Sequence, residues 1–360
     1  MPEAWFMGVA LVTGFLLFSK PPLLPRQRAG GAGGARVAVV IPARNAQRTL
    51  PFLLADLLEQ TQVPEEIVVV DDSSSDATVE VARRAGATVI EAGPLPEGWT
   101  GKAHACQKGA DATSAPLLVF LDADVRLAPD AVERMVACSG PGRLVSVAPH
   151  HRVESPYEHL SLPFNVVSWM GTGFAAARPF RRARGAFGPC LVIRRSDYER
   201  IGGHAAVTGD ILDDVALAER AVAEGLRNVI FAGSETVRYR MYPDGVRSLV
   251  EGWTKNIAAG GARVGRLRSL AVALWIGGLL SASLGLLSPS VHTFGWYAAF
   301  AAQVGLFSHR VGNFRAWASL AHGLLFWFFV AIFLRSAVRS WLLRRVTWRG
   351  REVPLGSRAP

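Results

Sequence analysis

The chain has 360 residues, half of them hydrophobic and 19% charged, and its mean hydropathy is +0.23. That length excludes a stapled mini-protein, and the composition is too apolar for disorder and unusual for a wholly soluble domain. The 39 basic against 29 acidic residues give a net charge of +10, which alone admits nucleic acid, an anionic membrane surface or a phosphorylated substrate.

Position chooses among these partners. Arg26, Arg28 and Arg36 follow the first apolar run, Arg263, Arg266 and Arg268 precede another, and Arg335, Arg339, Arg344, Arg345, Arg349 and Arg351 follow the last. This is the positive-inside pattern of a membrane protein. The basic residues form no aromatic-interleaved stripe, so nucleic acid is not expected as a partner. Cys106, Cys138 and Cys190 are widely spaced and contain no C-x-x-C, which suggests neither a disulfide framework nor a cysteine zinc site and fits a reducing cytosolic face.

In chain order, Ala4 to Phe18 is an apolar stretch ended by Lys20 and Pro21-Pro22. No Lys or Arg precedes it, as a signal peptide would need, so residues 1–20 are expected to be an uncleaved membrane anchor. Residues 21–36, rich in glycine after Arg28, read as a linker. From Val37 the pattern changes to short apolar runs alternating with helix-period segments, which predicts an α/β fold with a mostly parallel sheet and covering helices. Strands are expected at Val37 to Ile41, Ile67 to Val70, Thr88 to Ile90, Leu117 to Leu121, Leu144 to Val147 and near Leu191 to Arg194. Leu50, Leu53, Leu54, Leu57 and Leu58 make one helical face, and Asp76 can cap a helix running through Ala85. The stretch from Ser155 to Gly185 mixes an apolar helix-like run with a basic cluster at Arg178, Arg181, Arg182 and Arg184, and reads as a mobile loop or an interfacial helix. Helices are expected from Asp213 to Glu224 and from Gly245 to Ala258.

Three apolar segments follow: Leu270 to Leu287, Phe294 to Phe307 and Leu320 to Leu334. A crossing needs about 20 apolar residues, which only the first clearly supplies. An Arg-rich tail kept in the cytosol with the catalytic domain requires an even number of crossings, so one segment, the middle one, is expected to be re-entrant or interfacial. The division expected is a catalytic domain at 37–262, a membrane region at 263–346 and a basic cytosolic tail at 347–360.

Five groups of residues can carry chemistry. Asp71 and Asp72 open an Asp/Ser turn at the carboxyl end of a predicted strand, where open α/β sheets place ligands. Their carboxylates can accept hydrogen bonds from a nucleobase or ribose, or can simply cap the turn. Pro42-Ala43-Arg44 occupies the equivalent end of the preceding strand. Asp122-Ala123-Asp124 follows a buried strand and can offer oxygens to Mg²⁺ or Mn²⁺ bridging a diphosphate. Lys102, one of four lysines in the chain, stands at a helix start as a candidate phosphate partner. Asp213 and Asp214 open another helix, where one of the pair can act as a general base and helix capping explains only part of the cluster. His204 upstream reads as a loop or supporting residue. Trp253, Lys255 and Asn256 could close over a pyrophosphate, or the indole could anchor a helix.

Together the Val37-to-Asn45 string, the Val-Asp-Asp-Ser-Ser-Ser-Asp turn, the Asp-Ala-Asp triplet and the later Asp-Asp pair resemble glycosyltransferase family 2. Gly98-Trp99-Thr100-Gly101-Lys102, Gly252-Trp253-Thr254-Lys255-Asn256 and Thr347-Trp348-Arg349-Gly350-Arg351 look like its membrane-anchored carotenoid- and hopanoid-associated branch. The resemblance implies a GT-A fold, a nucleotide diphosphate sugar as donor (a UDP-sugar by family preference), a divalent cation, inversion at the anomeric carbon and a lipid acceptor. By position, Pro42, Ala43, Arg44 and Asp72 would contact the nucleoside, Asp122 the ribose or sugar, and Asp124 the metal. Asp214 would be the base, with Asp213 in place of the family's glutamate. The Gln-x-x-Arg-Trp motif of processive synthases is absent. The expected location is the cell membrane, with several crossings and the catalytic domain on the cytoplasmic side. A non-catalytic nucleotide-sugar-binding membrane protein, and transfer to a ceramide, diacylglycerol or polyprenyl phosphate, are the alternatives.

Overall fold

The computed structural model describes residues 2–25, 35–177, 183–210, 212–260, 263–339, 345–348 and 351–354. Most of the glycine-rich linker, three arginines of the basic cluster (Arg178, Arg181 and Arg182) and much of the basic tail lie outside these residues. In chain order the first half holds α1 (Pro2–Leu17), β1 (Val37–Ala43), α2 (Leu50–Leu58), β2 (Glu66–Asp71), α3 (Thr78–Arg84), β3 (Thr88–Glu91), α4 (Gly101–Asp111), β4 (Leu117–Leu121), β5 (Val125–Leu127), α5 (Ala131–Cys138), β6 (Arg143–Ala148) and β7 (His150–His151). The second half holds α6 (Leu162–Thr172), β8 (Cys190–Arg194), α7 (Arg195–Arg200), α8 (Asp213–Ala223), β9 (Arg227–Ala232), β10 (Val237–Tyr239), α9 (Val246–Gly260), α10 (Arg266–Gly285), α11 (Val291–Val311), α12 (Ala316–Leu320), α13 (His322–Val338), β11 (Arg345–Trp348) and β12 (Arg351–Pro354). These elements form two compact units, one made of Leu23–His150 with Gly185–Tyr239 and the other of Met1–Pro22, His151–Arg184 and Arg240–Pro360.

The first of these units is the α/β body. Its seven-stranded sheet runs β3-β2-β1-β4-β8-β6-β9, parallel except for β8, which is antiparallel to both β4 and β6. The period-two alternation of β1 explains its burial on both faces. Val37, Val39 and Ile41 pack with Leu50, Leu53, Leu54 and Leu57 of α2 and with α5. Ala38 and Val40 turn to the other side, against Ala105, Cys106 and Ala110 of α4 and Leu217 of α8. The register pairs Ala43 with Asp71 at the carboxyl ends of β1 and β2, so the loops after both strands emerge side by side. Cys106, Cys138 and Cys190 are free thiols buried in this body.

The expected strands are all present, most of them longer by one or two residues, while β5, β9 and β10 were not anticipated. The expected cap at Asp76 shifts: α3 starts at Thr78 after Ala77, and the Asp76 carboxylate accepts the Thr78 N–H at 3.1 Å.

The second unit is helical. Gly278 of α10 lets α1 approach, since a Cβ there would stand 2.4 Å from the Ala10 methyl. Trp275 Nε1 donates to Gln303 Oε1 at 2.8 Å, and Gln303 Nε2 donates to the Leu11 carbonyl at 2.7 Å. Polar side chains thus satisfy one another between apolar helices, as an interior without water requires. In the described part of the stretch after Ser155, a 3₁₀ turn at Pro156–Ser161 leads into α6. The fully buried Glu158 holds Arg240 there through two hydrogen bonds of 2.9 and 2.7 Å.

Among the described residues one helix, α10, is long and apolar enough to cross a membrane, with 20 residues and a hydropathy of 1.6 over its best window. The middle apolar segment forms one uninterrupted helix of 21 residues, α11, so it does not turn back within its own length as a re-entrant segment would. The third is broken at Ala321 into α12 and α13.

Candidate active site

Three strand ends and two helix starts of the α/β body assemble a carboxylate-rich centre. After β1, Arg44 Nη1 lies 3.4 Å from Asp72 Oδ2, and the Asp72 N–H donates to the Ala43 carbonyl at 2.8 Å. Asp71 is buried; its Oδ2 accepts the Ser74 N–H at 3.1 Å, whereas its Oδ1 has no hydrogen-bond partner. An orphan carboxylate oxygen is costly unless a ligand supplies the donor. Asn45 and Ser73 both adopt left-handed backbone, with φ of 51° and 58°, which turns each loop sharply out of its strand.

The Gly98–Lys102 loop packs on this corner. A Cβ on Gly101 would stand 2.3 Å from Asp72 Oδ2, so only glycine admits the contact. Thr100 then caps α4, accepting the Ala103 N–H at 3.4 Å. The cap sets the direction of Lys102, whose Nζ reaches Asp122 Oδ1 at 2.6 Å. The lysine expected as a phosphate partner therefore already holds a carboxylate.

Asp122 ends β4, with its N–H donated to the Pro189 carbonyl at 3.1 Å. Asp124 lies one turn on, and its charge together with burial raises the Tyr239 hydroxyl above its ordinary value. At the start of α8, burial raises both Asp213 and Asp214 above the usual carboxylate range while the Lys102 cation opposes it. Asp214 accepts the N–H groups of Val215 and Gly188, and a Cβ on Gly188 would come within 2.8 Å of Asp214 Oδ2. Burial lowers Lys102, but Asp122, Asp213 and Asp214 more than offset this and raise it well above its ordinary value. Sequence reading missed Gly188, which no local pattern marks.

Pro42, Ala43, Arg44, Asp71, Asp72, Lys102, Asp122, Ala123, Asp124, Asp213 and Asp214 all belong to this body, whereas Trp253, Lys255 and Asn256 belong to the helical unit. Trp253 is buried, donates its indole N–H to Ser161 Oγ at 3.1 Å and stacks on Phe164 with ring centroids 4.6 Å apart. The satisfied indole N–H and the ring's contacts with Phe164 and Tyr242 favour the helix-anchor reading of Trp253 over donor closing. Asn256 donates to Tyr242 Oη at 3.2 Å.

No three His, Cys, Asp or Glu side chains gather as a ready-made metal cage among the described residues. The Asp-x-Asp carboxylates fit a hard cation that takes most of its ligands from a diphosphate and water, as Mg²⁺ ordinarily does.

Residues 38–202 match the family described as glycosyl transferase family 2. A 4,4'-diaponeurosporenoate glycosyltransferase of Staphylococcus aureus (strain USA300) is 33% identical over 329 residues, which is 88% of each chain. The chain belongs to glycosyltransferase family 2. The corresponding protein of strain MRSA252 is equally similar, 33% identical over 329 residues. A solved structure, the mannosyltransferase PcManGT from Pyrobaculum calidifontis in complex with GDP-Man and Mn2+, is 18% identical, covers 94% of this chain and 96% of its own, and aligns with a TM-score of 0.53. The family 2 body is thus of the α/β, GT-A type, with a mostly parallel central sheet.

Proposed function

We propose that this family 2 enzyme transfers a sugar from a nucleoside diphosphate sugar to a hydroxyl or carboxylate of a carotenoid-type lipid, with inversion, at a membrane. The observation that carries the donor half is the unpartnered Asp71 Oδ1, beside Asp72 and Arg44 at the carboxyl edge of β1 and β2. A nucleobase N–H is the donor such an oxygen lacks. The acceptor half rests on the Staphylococcus aureus relative, named for diaponeurosporenoate. Pro42, Ala43, Arg44, Asp71 and Asp72 bind the nucleoside, and Lys102 with Asp122 the ribose and sugar.

Asp124 and Asp122 would hold a divalent cation, Mg²⁺ or Mn²⁺, which when bound would neutralise charge on the departing group. An acceptor oxygen attacks C1 as the bond from C1 to the diphosphate oxygen breaks and its electron pair leaves with the nucleotide. Asp214 takes the proton of a hydroxyl acceptor; a carboxylate acceptor has none to give.

Residues 37–262 are read as the catalytic span, 1–20 as an anchor, 21–36 as a linker, 263–346 as the membrane region and 347–360 as a cytosolic tail. The apolar helix α10, with the shorter apolar helices α1 and α13, supports a place at the cell membrane; the protein is read as multi-pass with its catalytic body on the cytoplasmic side. The test offers a panel of radiolabelled nucleotide sugars to the protein in membranes, with host lipid extracts as acceptors. Label should enter the organic phase with one donor and fail to do so in Asp124→Ala. Donor binding without transfer or hydrolysis would instead establish a non-catalytic binder.

A further inference from the structure

A buried hydrogen-bond chain behind Asp213 fixes the tautomer of a histidine. Gln107 Oε1 accepts the Ala205 N–H at 3.0 Å, so that amide atom is oxygen, since an amide nitrogen cannot accept. The Tyr198 hydroxyl lies 3.0 Å from the same oxygen and gives it its single proton. The Tyr198 oxygen is left only to accept, taking the His204 N–H at 3.0 Å and His204 Nδ1 at 2.9 Å. His204 therefore carries its ring proton on Nδ1, and Nε2 presents a lone pair. That nitrogen stands 3.9 Å from Asp213 Oδ2, a buried oxygen with no hydrogen-bond partner. Glycines build the turn: Gly202 and Gly203 have φ of +80° and +58°, and a Cβ on Gly203 would lie 2.6 Å from Gln107 Oε1.

A lone pair and a carboxylate oxygen facing each other in a dry interior repel unless a proton lies between them. Burial and the Lys102 cation keep His204 from supplying that proton by becoming charged. We propose that His204 is a positioning residue for the carboxylate pair: its Nε2 lone pair, held in place by Tyr198 and Gln107, makes Asp213 the later of the two aspartates to ionise, so that Asp214 is the first to carry the negative charge.

The other groups around the pair do not make this choice. Lys102 on α4 favours ionisation of both members, and Asp122 after β4 disfavours it in both. Cys106 of α4 is a buried thiol held neutral by desolvation. What differs is the immediate surroundings: Asp214 accepts the N–H groups of Gly188 and Val215, which favour a carboxylate, whereas Asp213 has its own N–H as backbone donor and its Oδ2 meets a lone pair, which favours the acid. Paired carboxylates in one site ionise in two steps that belong to the pair, and the surroundings order those steps. The inference rests on the reading of Asp214 as the base.

The experiment is an infrared pH titration of the protonated-carboxyl band in the full-length protein in detergent, which reads the proton without turnover. The band that disappears at the higher pH should persist in Asp214→Asn and be lost in Asp213→Asn. His204→Asn keeps a donor toward Tyr198 but removes the Nε2 lone pair that Asp213 Oδ2 meets at 3.9 Å, and should move that band's midpoint to lower pH by up to about one unit. Tyr198→Phe, a milder change, should move it in the same direction. Kinetically, Asp214→Asn should lower kcat by about 10²–10⁴, and Asp213→Asn, a permanently neutral group, by about tenfold. A later-titrating band that belongs to Asp214, or one indifferent to both His204→Asn and Tyr198→Phe, overturns the proposal. A wild-type protein that shows the predicted titration yet transfers no sugar sinks the glycosyl-transfer reading and leaves the proton assignment standing.

Discussion

Lys102 Nζ and Asp122 Oδ1 lie 2.6 Å apart, tying the start of α4 to the end of β4. The ammonium lowers the proton affinity of Asp213 and Asp214 as well, so one cation serves three carboxylates. In Lys102→Met both members of the pair bind protons more tightly. If Asp214 is the base proposed above, the acid limb of kcat should move to higher pH by about one unit. A pH–rate profile unchanged by the substitution would remove Lys102 from the electrostatics of the pair.

The contact between Gly101 and Asp72 predicts a local lesion. In Gly101→Ala the new methyl displaces the Asp72 carboxylate and with it the Arg44 pair. Nucleoside diphosphate binding, read by calorimetry, should weaken about tenfold or more, with circular dichroism unchanged. Undiminished binding would place the nucleoside elsewhere.

The orphan oxygen of Asp71 gives a second handle on the donor. Asp71→Asn can still accept from Ser74 through its amide oxygen while presenting N–H where the carboxylate presented a lone pair. Donor affinity should fall by about 1–3 kcal/mol, without loss of thermal stability. Equal affinity in wild type and variant would show that nothing donates to Asp71 Oδ1.

His204 also predicts how stability depends on pH. Burial depresses the imidazole to about 3, below its unfolded value of about 6.5. The neutral ring's contribution is therefore present above about pH 6.5 and lost as pH falls toward the folded value, up to about 5 kcal/mol in all. His204→Asn should melt below wild type at pH 7, and the gap should narrow steadily on acidification. A gap constant with pH would mean that the imidazole is solvated.

Trp253 tests the helical unit. Trp253→Ala removes a buried ring stacked on Phe164 and a hydrogen bond to Ser161, and should destabilise by about 3–5 kcal/mol. Nucleotide affinity of the folded fraction should not follow. A selective loss of nucleotide affinity would return Trp253 to the donor.

Much of the sheet was legible because its strands are buried on both faces and therefore read as unbroken apolar runs such as Leu117 to Leu121. The strand-end aspartates were legible for a related reason: a carboxylate directly after such a run has nowhere to sit but the sheet's carboxyl edge. The short strands β5 and β10 were not, since three residues carry no period. Lys102 was recognised by its place at a helix start, but its partner, Asp122, is set by sheet order, which joins β1 to β4 across 80 residues of sequence. Trp253 was ambiguous because an indole beside a lysine reads the same whether it meets a ligand or Phe164. The tautomer of His204 depends on Gln107 and Tyr198, which become its neighbours only when α4 and α7 pack.

The burial of Cys106, Cys138 and Cys190 has a practical consequence. All three thiols are shielded by the α/β body, and desolvation raises Cys138 to about 12 and holds the other two protonated as well. Alkylating reagents act on accessible thiolates, so the folded wild-type protein should be nearly silent toward a charged maleimide. A single cysteine placed in the Ser288–Ser290 turn or near Asn313 would then be the one reactive thiol in the molecule. Labelling of that thiol in whole cells would test the proposed membrane placement without first stripping the native cysteines from the core.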